Sequence, residues 1–431
     1  MQKIQENTST GSTRGAGKAR LNWLFLDLNS YFASVEQNEN PTLIGRPIAV
    51  VPMDTDYTCA IAASYEAKAY GVKTGTMIKD AKELCPDLVC VVARHHKYVE
   101  YHHAIMAEIE QHIPITRKCS IDEVACELLE NEQSIEYIHD LAARLKTGIR
   151  KNVGRAIGCS IGVAQNPFLA KLASDMQKPD GLTILPPDNF TDKLFQLKLR
   201  DLTGIGRNIE IRLNNAGINT VEQLYNLSPK HVRKAWGSVQ GEKFWLKMHG
   251  VEVPEIETKT SVVGHSRILE PALRFPPKAY GVARHLTVKA SSRLRTGGHY
   301  ARKFSLSVRT PDKKRWEHTR SFSPTQDNFV FVKALEAMWN MMLSDIQPYK
   351  LFKISIVISD LYEKAQVTLD LFDSTAEETE QNNALTECMD ALNQRYGTDT
   401  ISIGAIPECK SSDLGTKIAF TRIPELEEFE S

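Results

Sequence analysis

Residues 24–34 read LFLDLNSYFAS. WLFLDL (23–28) is a short apolar run that suits a buried strand, although periodicity alone does not separate it from a buried helix segment. Asn29 and Ser30 break the run and are natural N-caps. Tyr31, Phe32, Val35 and Glu36 then fall at helical spacing. The oddity is Asp27, a carboxylate at the end of an oily strand, because a buried carboxylate is costly unless paired, hydrogen-bonded or metal-bound. It recurs in CSIDEVACELL (119–129), where Asp122 and Glu123 sit inside an apolar stretch that suits two strands with a turn near the acids. Three converging carboxylates match the oxygen ligation of divalent cations. Two such ions, roughly 3.5–4 Å apart, can activate an attacking hydroxyl and stabilise a leaving group. An adjacent acid pair is also common at plain turns and exposed edges, so the spacing alone leaves both readings open.

Outward from this stretch, strands and helices alternate. RPIAVVP (46–52) and CAIAAS (59–64) read as strands, and YEAKAYG and TMIKDAKELCP as short helices stopped by Gly or Pro. Helices are expected over 98–112 and 134–152, then the strand AIGCSIGVA (156–164) and the helix NPFLAKLASDMQK. This mixture predicts an α+β or α/β layered core. From about residue 186 the pattern turns helical, with Gly204-Ile205-Gly206 at the mouth of a helix. Residues 251–260 read as a linker. SVVGHSRIL (261–269), KFSLSVRT (303–310) and FKISIVISDL (352–361) alternate as strands, with helices at 278–296 and 328–345 between them.

The chain of 431 residues balances 53 Lys+Arg against 53 Asp+Glu, but unevenly. Residues 257–360 carry a net charge of +10 and residues 361–431 a net charge of −10. A basic module before an acidic tail is a weak nucleic-acid signal. No run approaches the ~18 apolar residues of a membrane span. The first twenty residues lack an apolar secretory core and read as a disordered tail. Eight cysteines are scattered with no CxxC pair, which suits reduced thiols in a cytoplasmic protein. His95-His96 and His102-His103 have metal-like spacing, but no further ligand is evident and they read as a polar helix face.

Five motifs in order carry a resemblance: DLNSYFASVE (27–36), SYEAKAYGVKTG (64–75), SIDEVACEL (120–128), SIGVAQNPFLAKLASDMQKPDGL (160–182) and DLTGIGRNIEIRLNNAGI (201–218). Together they resemble the Y-family DNA polymerases of the DinB/UmuC type. The resemblance implies an α+β multidomain right hand. Palm would be 21–40 and 95–185, fingers 41–94, thumb 186–255 and little finger 256–360, with an acidic C-terminal region over 361–431. It implies translesion synthesis by two-metal nucleotidyl transfer from a dNTP to a primer 3′-hydroxyl. Asp27, Asp122 and Glu123, with the Leu28 carbonyl, match the family's ligands for two Mg²⁺. Phe32 matches the steric gate against a 2′-hydroxyl. Tyr31, Phe32, Tyr65, Lys68 and Lys171 fall at nucleotide-binding positions, although Tyr31 also reads as a core aromatic. The turn at Gly204 and Gly206 is similar to a helix-hairpin-helix and would hold a DNA phosphate. Arg267, Arg293, Arg295, Arg302, Lys303, Arg309 and the run Lys313-Lys314-Arg315 are candidate DNA contacts.

Two departures stand out. Ala62 occupies a position where many DinB-type members carry Thr, and Lys68 one where they carry Arg, so a bidentate phosphate contact is lost. The wording NSYFAS and EAKAYGVKTG is similar to the UmuC side, which would bring an UmuD-like subunit and a recombinase filament as partners. Thr368-Leu369-Asp370-Leu371-Phe372 resembles the bacterial sliding-clamp peptide; a strand continuing the basic module is the alternative, and the place of the motif just beyond that module, before a polar segment, favours the clamp reading. The expected protein is a cytoplasmic, nucleoid-associated monomer on primer-template DNA. The competing reading is a non-catalytic clamp- and DNA-binding adaptor of the same family.

Overall fold

The computed structural model describes residues 20–254, 260–363, 376–397, 400–404 and 423. It divides into two compact units that meet in sequence at residues 255 and 256.

The first unit is built around a five-stranded sheet. In chain order the first elements of the unit are β1 (Trp23–Leu28), α1 (Tyr31–Glu39), β2 (Ile48–Val51), β3 (Ala62–Ala63), α2 (Tyr65–Ala69), α3 (Ile78–Leu84), β4 (Val89–Val92), α4 (His95–Glu110), β5 (Arg117–Lys118), β6 (Glu123–Glu127), α5 (Ile135–Gly148), β7 (Cys159–Ala164), α6 (Pro167–Met176) and β8 (Leu182–Ile184). The sheet order is β5-β6-β1-β7-β8, with β1 antiparallel to both neighbours. Every residue of β1 is buried, which is why this strand, Asp27 apart, reads as an apolar run. Leu24, Leu26 and Leu28 join one core with Val35 of α1, Ile105 of α4 and Leu141 of α5. Trp23 and Phe25 join a second core with Leu169 and Leu172 of α6. Alternation along the strand therefore sends Asp27 to the α6 side.

The segment expected as fingers forms a separate sheet, β3-β2-β4, with its own small core of Ala49, Val51, Ile78 and Ala81. The helices α7 (Phe190–Phe195), α8 (Arg207–Asn215), α9 (Val221–Tyr225), α10 (Pro229–Trp236) and α11 (Val239–Met248) follow where the helical thumb was expected.

The second unit comprises β9 (Val262–Ile268), α12 (Pro276–Thr296), β10 (His299–Arg309), β11 (Arg315–Thr325), α13 (Asn328–Ile346), β12 (Lys353–Glu363) and α14 (Ala376–Tyr396). The sheet order is β11-β10-β12-β9, all antiparallel. Phe304, Leu306 and Val308 of β10 and Ile354, Ile356 and Ile358 of β12 bury against α12 and α13. Their neighbours in sequence form the opposite, open face, on which Lys303, Ser305, Ser307 and Arg309 of β10 pair with Ser321, Thr319, Glu317 and Arg315 of β11.

The strand β11 has no counterpart in the sequence reading. It is an edge strand, mostly exposed and rich in charged and polar residues, so it lacks the apolar alternation that marks its neighbours. The helix α14 packs on α13 with Met389 and Thr386 buried, so the segment that read as an acidic tail contributes to this unit.

Candidate active site

The turn out of β1 uses its polar residues differently from a simple helix cap. Ser30 stands at the helix start in a left-handed conformation (φ 48°), and its side chain makes no capping bond. Its Oγ accepts instead from Lys68 Nζ at 2.6 Å. Lys68 also stands 4.3 Å above the Tyr65 ring, so α2 is drawn to the end of β1. Burial, reinforced by Lys178, lowers the Lys68 pKa below its ordinary value.

The three acids converge at this end of the sheet. Asp27 pairs across the ladder with Glu123, which puts their side chains on one face. The Leu28 N–H donates to the Asp122 carbonyl at 2.9 Å, fixing the turn that precedes β6. Ser120 Oγ donates to Asp122 Oδ1 at 2.5 Å. Burial raises the Asp122 carboxyl, with Asp27 adding to the effect and Ser120 opposing it. Glu123 is raised by burial, eased by Lys171 and raised again by Asp27 and Asp122.

Charge balance comes from two lysines. Lys171 of α6 pairs with Asp27, with Glu123 at 2.8 Å and with Asp175 at 3.1 Å. Lys178 reaches Asp27 Oδ1 at 2.7 Å and Asp175 at 2.8 Å. Burial works against the charge on both lysines, but the surrounding acids more than offset it and hold their pKa values above the ordinary one. Among the described residues no three acid, His or Cys side chains already stand together as a metal cage. In this arrangement the chain's own ammonium groups take the cation positions beside the acids. Lys178 and Asp175 escaped the sequence reading because they look like the solvated end of a helix. The signal was available in their spacing, since Asp175 lies one helical turn from Lys171.

A carboxyl raised by folding contributes stability only at low pH, and that contribution is lost as pH rises through its folded pKa. At neutral pH a charged Asp122 therefore weighs against the metal-free fold. Asp122→Asn should raise the melting temperature in chelator by about 2 °C. A lower melting temperature than wild type would contradict this electrostatic account.

Phe32 is half-buried and stacks on Tyr98, with ring centroids 4.3 Å apart and planes 14° from parallel. The Tyr98 hydroxyl donates to Glu36 Oε1 at 2.8 Å. Glu36 is buried and accepts from Arg94 Nη2 at 2.7 Å. The Phe32 ring is thus backed by a pinned ring. Tyr31 requires a correction as a nucleotide contact. It is 3% exposed, and its hydroxyl donates to the Tyr98 carbonyl at 2.5 Å, so its helix position turns it into the core.

His102 also departs from a polar helix face. It is 1% exposed, with Nδ1 2.7 Å from the carbonyl oxygen of Ile121, just before the acids. Burial pushes its pKa down from 6.5 to about 4. Its folded pKa lies below the unfolded value, so stability is complete above about pH 6.5 and declines as pH falls towards 4. A melting-temperature series across this window should fall less steeply for His102→Asn than for wild type, and equal slopes would contradict the assignment.

At the helical turn, Gly204 has φ 102° and Gly206 caps α8, with open space where a side chain would project. In the second unit, Arg293, Arg302, Lys303 and Arg309 are exposed. Arg295 is corrected as a DNA contact. Its side chain is 6% exposed, forks onto Asp390 of α14 at 2.7 and 3.0 Å and donates to the Gln326 carbonyl and Asn328. Arg267 is likewise corrected, since it lies on the helix-facing side of β9, largely buried, and bonds Glu270 at 2.8 Å. The clamp-like residues Thr368, Leu369, Asp370, Leu371 and Phe372 lie outside the described residues.

The impB/mucB/samB family model matches residues 26–175, and the model of that family's C-terminal domain matches residues 260–371. A DNA polymerase IV of Moorella thermoacetica is 33% identical over 67% of this chain and 73% of its own. A DNA polymerase IV of Bacillus velezensis is 30% identical over 91% of this chain and 94% of its own. A solved Y-family DNA polymerase chimera, 22% identical, has the same fold, with a TM-score of 0.65 over 79% of this chain and 99% of the chimera. Both relatives are named DNA polymerase IV. The chain belongs to the impB/mucB/samB family, that of the bacterial Y-family DNA polymerases.

Proposed function

We propose that this chain is a template-directed DNA polymerase for translesion synthesis, with Asp27, Asp122 and Glu123 as the acids of its active site. The observation that carries this reading is the convergence of those acids with the cations Lys68, Lys171 and Lys178. The donor set fits divalent metal, since carboxylates and the Leu28 carbonyl are hard oxygen ligands. The ammonium groups of Lys171 and Lys178 already occupy positions that favour a cation. Two Mg²⁺, when bound, would lower the pKa of the primer 3′-hydroxyl and neutralise charge on the phosphates.

The chain's own groups then have distinct tasks. Lys171 and Lys178, released from Asp27 and Glu123 if a cation takes their place, would turn to the triphosphate. Lys68 and Tyr65 approach the same phosphates from α2. Phe32, backed by Tyr98, lies under the sugar and excludes a 2′-hydroxyl. The 3′-oxygen bonds to the α-phosphorus as the bond to pyrophosphate breaks. The Gly204–Gly206 turn and the exposed Arg293, Arg302, Lys303 and Arg309 hold the DNA backbone through charge and amides, without reading sequence.

Thr368–Phe372 would bind the sliding clamp, and the protein would work in the cytoplasm on the nucleoid. An UmuD-like subunit and a recombinase filament belong to the UmuC lean, and synthesis by the isolated chain would dispense with them. The test is primer extension on undamaged and lesion-bearing templates. Extension that needs Mg²⁺ and stops in chelator supports the reading, and no extension with any divalent metal overturns it. The adaptor alternative has no observation in its favour, because all three acids are present and converge.

A further inference from the structure

Asn29 follows Asp27 and Leu28 at the end of β1 and is 6% exposed. Its amide makes two bonds to other segments. Nδ2 donates to Ser160 Oγ on β7 at 3.0 Å, and Oδ1 accepts from the Asp180 N–H at 2.8 Å. Its own N–H donates to the Gly158 carbonyl at 2.8 Å. Ser160 Oγ in turn donates to the Gln177 carbonyl at 3.2 Å and accepts from the Gly181 N–H at 3.3 Å. One buried amide and one hydroxyl thus bind the 177–181 loop to the end of β1.

Two residues joined to Asn29 are left-handed without being glycine: Ser30, with φ 48°, and Asp180, with φ 59°. Such conformations persist where the surroundings enforce them. Each lies next to a cation of the site. Ser30 carries the hydroxyl that receives Lys68. Asp180 ends the short loop that begins at Lys178, whose ammonium reaches Asp27.

From this arrangement we infer that Asn29 is a positioning residue, setting the separation of Lys68 and Lys178 and through it the affinity for the nucleotide triphosphate. This rests on the polymerase reading of the site. An amide suits the role because it supplies a donor to Ser160 and an acceptor to Asp180 at once. Alanine supplies neither and leaves the Asp180 N–H without its partner. The acids themselves are held by other bonds, from the β1–β6 ladder and Ser120, so Asn29 acts on binding more than on the chemical step.

The experiment is single-nucleotide incorporation by the full chain, comparing wild type with Asn29→Ala, Ser160→Ala, Lys178→Ala and the Asn29→Ala plus Lys178→Ala double variant. Asn29→Ala should raise KM for the dNTP about tenfold with kcat within about twofold, the scale of a lost buried hydrogen bond. Ser160→Ala should move KM the same way by about threefold. In the Lys178→Ala background, Asn29→Ala should raise KM by less than it does in wild type, because much of its effect runs through that lysine. An unchanged KM, a fall in kcat alone, or effects that multiply would overturn the inference. If Asn29→Ala does not fold, as judged by circular dichroism, Ser160→Ala decides it by the same KM-against-kcat split. A wild-type chain that extends no primer overturns the polymerase reading and this inference together. Wild-type extension with an unchanged variant KM overturns this inference alone.

Discussion

Primer extension by a chain carrying Asp122→Ala and Glu123→Ala is expected to fall by at least about a thousandfold, a loss of roughly 4 kcal/mol of transition-state stabilisation. The two acids do little for the metal-free fold. Burial holds both carboxyls above their ordinary pKa, so their charges oppose folding at neutral pH. Removing them should leave the melting temperature in chelator unchanged or higher, while Lys171 keeps its pairs with Asp27 and Asp175. Lost activity with retained stability identifies groups kept for chemistry. Retained synthesis would move the reaction away from this end of the sheet.

Phe32→Ala should admit ribonucleotides, lowering the preference for dNTP over NTP by on the order of a hundredfold. Exclusion by a ring requires that the ring cannot retreat. Phe32 stacks at 4.3 Å on Tyr98, whose hydroxyl is held by Glu36, itself bonded to Arg94 at 2.7 Å. A backed ring rejects an added hydroxyl by clash, and truncation removes the clash with little change in attractive contacts to the deoxy sugar. The ratio of kcat/KM for paired dNTP and NTP substrates measures this directly. Sugar selection equal to wild type would place the gate at another residue.

The strand, turn and helix of LFLDLNSYFAS were legible because a strand buried on both faces reads as a continuous apolar run, and because the polar Asn-Ser pair ends it. Asp27 and Glu123 were legible as candidates by the strangeness of acids in apolar stretches. Their partners were harder to find. Lys178 and Asp175 look like ordinary surface charges, and only the fold brings the end of α6 over β1. Glu36 read as a helical residue, yet it is buried and anchors the wall behind Phe32. Arg295 and Arg267 failed as DNA contacts for a related reason. Net charge locates a basic module, but pairing with Asp390 and Glu270 decides which guanidinium groups remain free for a ligand. The strand β11 was missed because only Trp316 and Phe322 mark its core side, too few apolar residues among polar ones to show a period.

The most direct test of the central claim is the anomalous scattering of Mn²⁺ in a crystal of this chain with primer-template DNA and a non-hydrolysable dNTP. The account predicts two ions held by Asp27, Asp122 and Glu123, with the ammonium groups of Lys171 and Lys178 withdrawn from the positions they hold between the acids. Ions bound elsewhere, or lysines still paired with Asp27 beside a bound nucleotide, would contradict it.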